Sequence, residues 1–244
     1  WIGRAQDAAG ARLSGWMGPD RVVGYPETHI QQRDFHASDW IGTYIADLGL
    51  GKARIGYESD TYYFSPRSLR QLQAALPGAT FVDCDLLVNW VRVVKSPAEV
   101  AYMRQAARIA EASMRTAQAA TAPGVRQCDV MAEVIRTQIA FNGDFGGDMT
   151  ALAPIMLAGQ KASSSHPTWT DEPFGNEQII SFELGGSRRR YNTGLARTMY
   201  LGKNPPAKLL DTAKAVEEGL QAVLDITRPG TPTAGMHAAW QAGL

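Results

Sequence analysis

The stretch that decides the fold of this 244-residue chain is residues 158–202, AGQKASSSHPTWTDEPFGNEQIISFELGGSRRRYNTGLARTMYLG. Its first half is rich in Ser, Pro and Gly, which is typical of a loop. The run IISFEL at 179–184 is short, apolar and bounded by turn-forming residues, so it predicts a strand, and a further strand is expected at 198–201. The stretch therefore predicts a polar loop followed by two strands.

Long helices are predicted on both sides of these strands. Ser96-Pro97-Ala98-Glu99 has the pattern of a capping box, in which the Ser side chain accepts from the first turn and the Glu carboxylate accepts from the Ser amide. The run behind it is rich in Ala, Met and Arg and predicts a helix that Pro123-Gly124 ends. Further helices are expected over about 128–141 and 206–226, with a strand at 152–156 between them.

The first third of the chain predicts a separate α/β domain. Ser65-Pro66 has the pattern of a helix N-terminus, and strand-like runs lie before and after it, at 54–57 and 80–82. Another such run lies at 21–25, and an alternation of strands and helices is typical of a small α/β domain. We predict this domain over residues 1–86, a linker over 87–95 and a second domain over 96–244.

Composition and charge narrow the class of protein. Apolar residues make up 45% and charged residues 20% of the chain, which is ordinary for a globular protein. The 24 Lys and Arg balance the 24 Asp and Glu, so no basic excess favours nucleic acid. Cys84 and Cys128 are too few for a disulfide framework, and no apolar run approaches the roughly 18 residues of a membrane helix. We therefore predict a soluble cytoplasmic protein that binds neither nucleic acid nor membrane.

Glu183 and His166 are the strongest candidates for chemistry. Glu183 lies inside the apolar run IISFEL, where an ionised carboxylate costs free energy unless it is paired or functional. His166 is one of four histidines in the chain and lies in the Ser-rich loop. The alternative for Glu183 is that strand alternation points it at solvent, together with Ser181 and Gly185.

Several blocks in chain order resemble the creatinase/prolidase family, whose catalytic domain has the pita-bread fold. The run RVVKSPAEVAYMRQAARIAEASMRTAQAATAPGVRQCDVMAEV (92–134) is similar to the opening of that domain. A loop His, a strand acid followed by Gly-Gly, and the pair Arg197-Thr198 follow in the family's order, and residues 1–86 are similar to its N-terminal domain. The resemblance implies a mixed α/β (α+β) architecture. Because a helical pattern still runs at 235–244, we expect the pita-bread domain to be incomplete.

Two positions depart from the metallopeptidases of this family. Those enzymes place one Asp in the strand and a second Asp eleven residues later, and these positions here hold Glu183 and Gly194. Glycine has no side-chain oxygen, whereas a hard metal ion needs several carboxylates. The resemblance therefore implies a site without a metal and an enzyme without a cofactor. Creatinase has an acid directly before the Arg-Thr pair where this chain has Ala196, which argues against a creatine site.

Within this family the pattern is most similar to the ectoine hydrolases, on the blocks 143–148 (GDFGGD), 165–171 (SHPTWTD), 182–186 (FELGG), 190–191 (RY) and 195–198 (LART). These enzymes open the cyclic amidine of ectoine to an acetylated 2,4-diaminobutyrate, so the resemblance implies a small-molecule substrate. It implies Glu183 as nucleophile or base and His166 as proton carrier. We expect both side chains to face one pocket.

Five further residues are candidates for binding that substrate: Trp169, Asp148, Asp171, Tyr191 and Arg197. Trp169 offers an aromatic face to a cation, although packing is its simpler role. Asp148 and Asp171 either contact substrate or cap turns. Arg197 either binds the substrate carboxylate or supports the end of its strand.

Two other functions fit the same sequence. One is a metal-dependent Xaa-Pro dipeptidase or aminopeptidase, which needs a carboxylate at the position of Gly194. The other is a non-catalytic pita-bread module that binds a partner, which a purely apolar environment around Glu183 would favour. The family resemblance also implies a homodimer.

Overall fold

The computed structural model describes residues 1–243 and divides them into two compact units, Trp1–Val94 and the chain from Lys95 onward. Each unit combines helices with short sheets. No helix in the described part of the chain is both long enough and apolar enough to cross a membrane.

The first unit contains two separate pairs of parallel strands. They are β1 (Ile2–Arg4) with β2 (Val23–Tyr25), and β3 (Arg54–Tyr57) with β4 (Thr80–Asp83). The α-helices of this unit are α1 (Ala8–Ser14), α2 (Ala37–Ile45), α3 (Pro66–Ala75) and α4 (Leu87–Val93). The order β3–α3–β4 agrees with the sequence prediction, and so does the cap of α3, where the Ser65 hydroxyl accepts from the Ser68 amide at 3.1 Å. The sequence pattern does not predict β1, α1 or α2, and α4 occupies most of the predicted linker.

His36 forms the N-cap of α2 through a ring nitrogen that accepts a hydrogen bond. Its Nδ1 accepts from the Ser38 amide at 3.1 Å, and the Asp39 carboxylate accepts from the His36 amide at 2.8 Å. Burial lowers the pKa of His36, the Arg67 charge lowers it further, and Asp39 opposes the shift. The cap therefore needs a neutral imidazole, because a protonated Nδ1 has no lone pair with which to accept.

The first unit is expected to lose stability on mild acidification. The unfolded chain, with an ordinary His pKa near 6.5, binds more protons than the folded chain, whose pKa is lower. The His36 contribution is therefore present above about pH 6.5 and is lost as the pH falls through the folded-state pKa. We expect His36→Asn to flatten this dependence, since Asn caps a helix without titrating. Melting temperatures across this pH range, with the exposed His237→Gln as control, test it; an unchanged pH slope in His36→Asn would contradict it.

The second unit packs two long helices on one face of an antiparallel sheet. Its elements are α5 (Pro97–Ala120), α6 (Gln127–Ala140), β5 (Ile155–Ala158), β6 (Gln178–Arg188), β7 (Tyr191–Leu201), α7 (Ala207–Ile226) and α8 (Thr233–Ala242). The strand order is β5–β6–β7. The predicted capping box of α5 is present, because the Ser96 hydroxyl accepts from the Glu99 amide and the Glu99 carboxylate accepts from the Ser96 amide. The strands β6 and β7 are each longer than predicted and form one continuous hairpin.

The helix face of the sheet, the side that packs on α5 and α6, carries the core of this unit. Ile180, Phe182 and Leu184 alternate along β6 and are at most 2% exposed. They form one apolar cluster with helix residues that include Met114, Ala117, Val130, Met131 and Val134. Gly186 continues the same face, and α5 approaches it so closely that a Cβ there would lie 2.1 Å from the Ala106 carbonyl oxygen. Burial of this cluster fixes which side chains of β6 point to the opposite side.

A two-residue turn, Arg189-Arg190, joins β6 to β7. Both residues have positive φ, 51° and 69°, as a type I′ hairpin turn requires. Glycine or asparagine is the usual choice for this conformation. Here Asp148 supports it instead: its carboxylate accepts from the Arg190 amide at 3.1 Å, and its own amide donates to the Ser187 carbonyl at 2.9 Å.

Candidate active site

Glu183 lies at the centre of the sheet, on the face opposite α5 and α6, which we call the Glu183 face. The register pairs Glu183 with Ile155 of β5 on one side and with Ala196 of β7 on the other. Its side chain is half-buried and makes no hydrogen bond or ion pair with another residue of the described chain. A carboxylate in this position has an apolar or small neighbour on each flank, and its oxygens have no protein partner among the described residues.

Along the strands, the neighbours of Glu183 on this face are uncharged. Ser181 precedes it by two residues and pairs with Thr198, so that their hydroxyl oxygens lie 3.2 Å apart. Gly185 follows it by two residues and pairs with Gly194. The Glu183 face therefore offers hydroxyls on one side of the carboxylate and a pair of residues without side chains on the other.

The segment 148–152 covers the end of this face nearest the hairpin turn. The Ala151 amide donates to the Asn192 side chain at 3.1 Å, and the Thr150 methyl group lies where a Cβ on Gly185 would contact it, at 3.4 Å. The start of the segment is fixed by Asp148, through the two hydrogen bonds described above. It forms a wall beside Gly185 at this end of the face.

Two of the predicted substrate-binding residues lie on the helix face, and a third, Asp148, holds the segment that bounds the Glu183 face. Tyr191 belongs to the helix face, where its hydroxyl donates to the Glu99 carboxylate at 2.9 Å and its ring stacks on Tyr102. Arg197 pairs with Phe182, which also places it on the helix face, and its guanidinium donates to the Ala196 carbonyl at 2.7 Å. Asp148 supports the turn. Side chains alternate between the two faces along each strand, and the register of β6 and β7 is continuous. Tyr191 and Arg197 therefore both lie on the face opposite Glu183.

The loop that carries the other candidates follows β5. His166 is exposed and has a φ of 64°, and its ring makes no hydrogen bond within residues 1–243. Trp169 is half-buried and packs against the apolar cluster of the helix face. Asp171 is exposed, and its charge acts on Arg126 at the start of α6. No hydrogen bond joins His166 to Glu183 in the described chain, and the convergence of the two side chains stays a prediction.

Sequence reasoning misses Ser181 and Thr198 as candidate site residues. Ser181 shares the period-two spacing of Glu183, which is the signal that places both on one face. Thr198 can be recognised as a neighbour of Ser181 only from the strand register, which pairs the two residues and could not be predicted from the sequence.

An N-terminal α/β unit followed by an antiparallel sheet with two helices on one face is the architecture of the creatinase/prolidase class of pita-bread proteins. Residues 101–244 match the model of metallopeptidase family M24, and residues 4–94 match the creatinase/prolidase N-terminal domain. The chain therefore belongs to metallopeptidase family M24. The fold expected from the sequence resemblance is confirmed.

The proteins that are similar to this chain are longer than it is. An uncharacterized hydrolase/peptidase of Sinorhizobium fredii and an ectoine hydrolase of Halomonas elongata are each 36% identical to it, over 100% of this chain and 62% of the relative. A prolidase from Thermococcus sibiricus has the same fold with a TM-score of 0.81 at 14% identity, over 99% of this chain and 61% of its own. The chain thus spans about 62% of the length of the curated relatives it matches.

The family name implies a metal, and the described residues do not fit one. Within residues 1–243, no three His, Cys, Asp or Glu side chains come together as metal ligands. Gly194 lies diagonally across from Glu183 on the same face, and a Cβ built there would meet no described atom within 4 Å. This position has space for a carboxylate but contributes no oxygen. A divalent ion at Glu183 would have one protein carboxylate among the strand positions of this face, too few for a hard cation.

Proposed function

We propose that this protein is a hydrolase that opens the C–N bond of a cyclic amidine without a metal, with ectoine as the substrate that fits best. The observation that carries the proposal is the isolation of Glu183: among the strand positions of the Glu183 face that the structure describes, it is the only carboxylate. A single negative charge between small and uncharged neighbours suits a planar organic cation. The 36% identity to an ectoine hydrolase supports the same choice of substrate.

The reaction adds water to the amidinium carbon and then breaks one of its two C–N bonds. Glu183 either removes a proton from the attacking water or itself attacks the carbon, and its charge stabilises the cationic substrate in both cases. The departing ring nitrogen takes up a proton, for which His166 is the proposed carrier. The products are an amide and an amine on one chain, which for ectoine is an acetylated 2,4-diaminobutyrate.

A second candidate is a metal-dependent Xaa-Pro dipeptidase. The family match and the fold shared with a prolidase favour it. It is the weaker candidate, because peptide hydrolysis by the metallopeptidases of this family needs the second strand carboxylate that Gly194 replaces.

Ring opening of ectoine is expected to proceed in the presence of a chelator. The purified protein is incubated with ectoine, with and without a chelator, and the products are followed by NMR; an Xaa-Pro dipeptide serves as the competing substrate. We expect ring opening at equal rates in both samples, no dipeptide cleavage, and Mn, Co and Zn well below one equivalent. Dipeptide cleavage that the chelator removes, with one equivalent of metal, would support the dipeptidase instead.

A further inference from the structure

We infer that Ser181 and Thr198 form the subsite for the carboxylate of the substrate, so that this protein selects cyclic amidines that carry an acid group. The inference rests on the proposed function, and it deepens that function by assigning a residue pair to substrate choice. A substrate such as ectoine has two charges of opposite sign, and a binding site must hold both. Glu183 can hold only the cation.

The position of the hydroxyl pair matches that second task. Ser181 and Thr198 face each other across β6 and β7 with their hydroxyl oxygens 3.2 Å apart. Ser181 precedes Glu183 by two residues on the same face, a separation of about 6.5 Å along the strand. A small ring can thus lie with its amidinium at Glu183 and its carboxylate at the hydroxyls.

The chemistry of the pair also suits a carboxylate. Each hydroxyl can donate one hydrogen bond, so the two together can serve both carboxylate oxygens. Hydrogen bonds to a charged group are stronger than those between neutral groups. In the present arrangement one hydroxyl donates to the other, and a bound carboxylate replaces that bond. Because Ser and Thr are neutral, they do not form an ion pair with Glu183, which keeps its charge available for the cation.

Arg197, the residue that the sequence suggests for this carboxylate, has the wrong position. It is adjacent to Thr198 in the chain, but it pairs with Phe182 on the helix face, and its guanidinium is bound to the Ala196 carbonyl. On the other side of Glu183, Gly185 and Gly194 have no side-chain donor. The pair Ser181 and Thr198 is therefore the set of donors next to Glu183 on the strand positions that the structure describes.

Two ligands separate the roles of the carboxylate and the cation: ectoine and its analogue without the acid group, 2-methyl-1,4,5,6-tetrahydropyrimidine. For the wild-type protein and Ser181→Ala/Thr198→Val, affinity is measured from initial rates, as the Michaelis constant of ectoine and the inhibition constant of the analogue. For Glu183→Gln, the dissociation constants of both ligands are measured by calorimetry. Thr212→Ala, which removes an exposed hydroxyl on α7, is the matched control. We expect the double variant to bind ectoine about 10- to 100-fold more weakly and the analogue within about twofold of wild type, since two charge-assisted hydrogen bonds are lost only with ectoine.

The remaining outcomes distinguish the two proposals. Weaker binding of both ligands by Glu183→Gln, together with the selective loss in the double variant, supports both. Glu183→Gln can lose both ligands while the double variant either binds ectoine normally or loses ectoine and the analogue to the same extent. In either case the subsite assignment is wrong and the proposed function stands. If the wild-type protein binds neither ligand, both proposals fail. Loss of ectoine selectivity in Arg197→Gln, with none in the double variant, would assign the carboxylate to Arg197.

Discussion

Replacement of Glu183 by Gln is expected to lower kcat for ectoine by at least about 100-fold while the melting temperature stays within about 2 °C of wild type. Gln keeps the shape of the side chain, and Glu183 makes no hydrogen bond within the described chain that the change could break. The amide has no negative charge to hold an amidinium, and it is a far weaker base and nucleophile. Initial rates from NMR and thermal unfolding by circular dichroism measure the two quantities.

The same substitution at Glu177 serves as the control. The Glu177 carboxylate accepts from the Lys203 amide at 3.0 Å and from the Tyr200 hydroxyl at 2.8 Å, and these bonds lower its pKa. Glu177→Gln should therefore reduce stability with little change in kcat, the reverse of the pattern at Glu183. Activity of Glu183→Gln within about threefold of wild type would show that Glu183 is a solvent-facing strand residue without a catalytic role.

Gly186→Ala is expected to destabilise the protein by about 3 kcal/mol, the upper part of the range for overpacked cores. A Cβ at this position would lie 2.1 Å from the Ala106 carbonyl oxygen and 2.6 Å from the Ala110 amide nitrogen. Both atoms belong to the backbone of α5, which can move away only by separating from the apolar cluster beneath it. Chemical denaturation, with the free energy of unfolding extrapolated to water, measures the loss.

Gly194→Ala is the matched control on the same hairpin. Its Cβ would meet no atom of residues 1–243 within 4 Å, so we expect a change in stability within about 0.5 kcal/mol. Equal effects of the two substitutions would contradict the close approach of α5 to β6. The pair also tests the assignment of faces, because Gly186 lies on the helix face and Gly194 on the Glu183 face.

Local signals in the sequence predict much of the second unit. The capping box at Ser96 and the Pro-Gly stop after α5 act within one turn of helix, so they can be recognised without knowledge of the tertiary structure. The apolar alternation of Ile180, Phe182 and Leu184 likewise predicts β6. The sequence resemblance extends this to the family, because its motifs occur in order along the chain.

The side of the sheet on which each candidate lies could not be predicted in the same way. Tyr191 and Arg197 follow Glu183 closely in the family motif, yet the register places both on the opposite face. Register depends on the pairing of distant residues and on turn geometry, and a shift of one residue exchanges the faces. The turn that Asp148 supports could not be identified for a similar reason, because it lies about forty residues further along the chain.

The two-residue turn between β6 and β7 has a kinetic consequence. All the residues that we assign to the cation and carboxylate subsites lie on the two strands that it joins, between Ser181 and Thr198. Their contacts close over a short loop of chain, and hairpins of this kind form within about 1–10 µs. An isolated hairpin is only marginally stable, so these contacts persist once α5 and α6 have docked. The spacing of the subsites is therefore set by the hairpin itself. The time for which the hairpin stays formed depends on contacts that span the whole second unit.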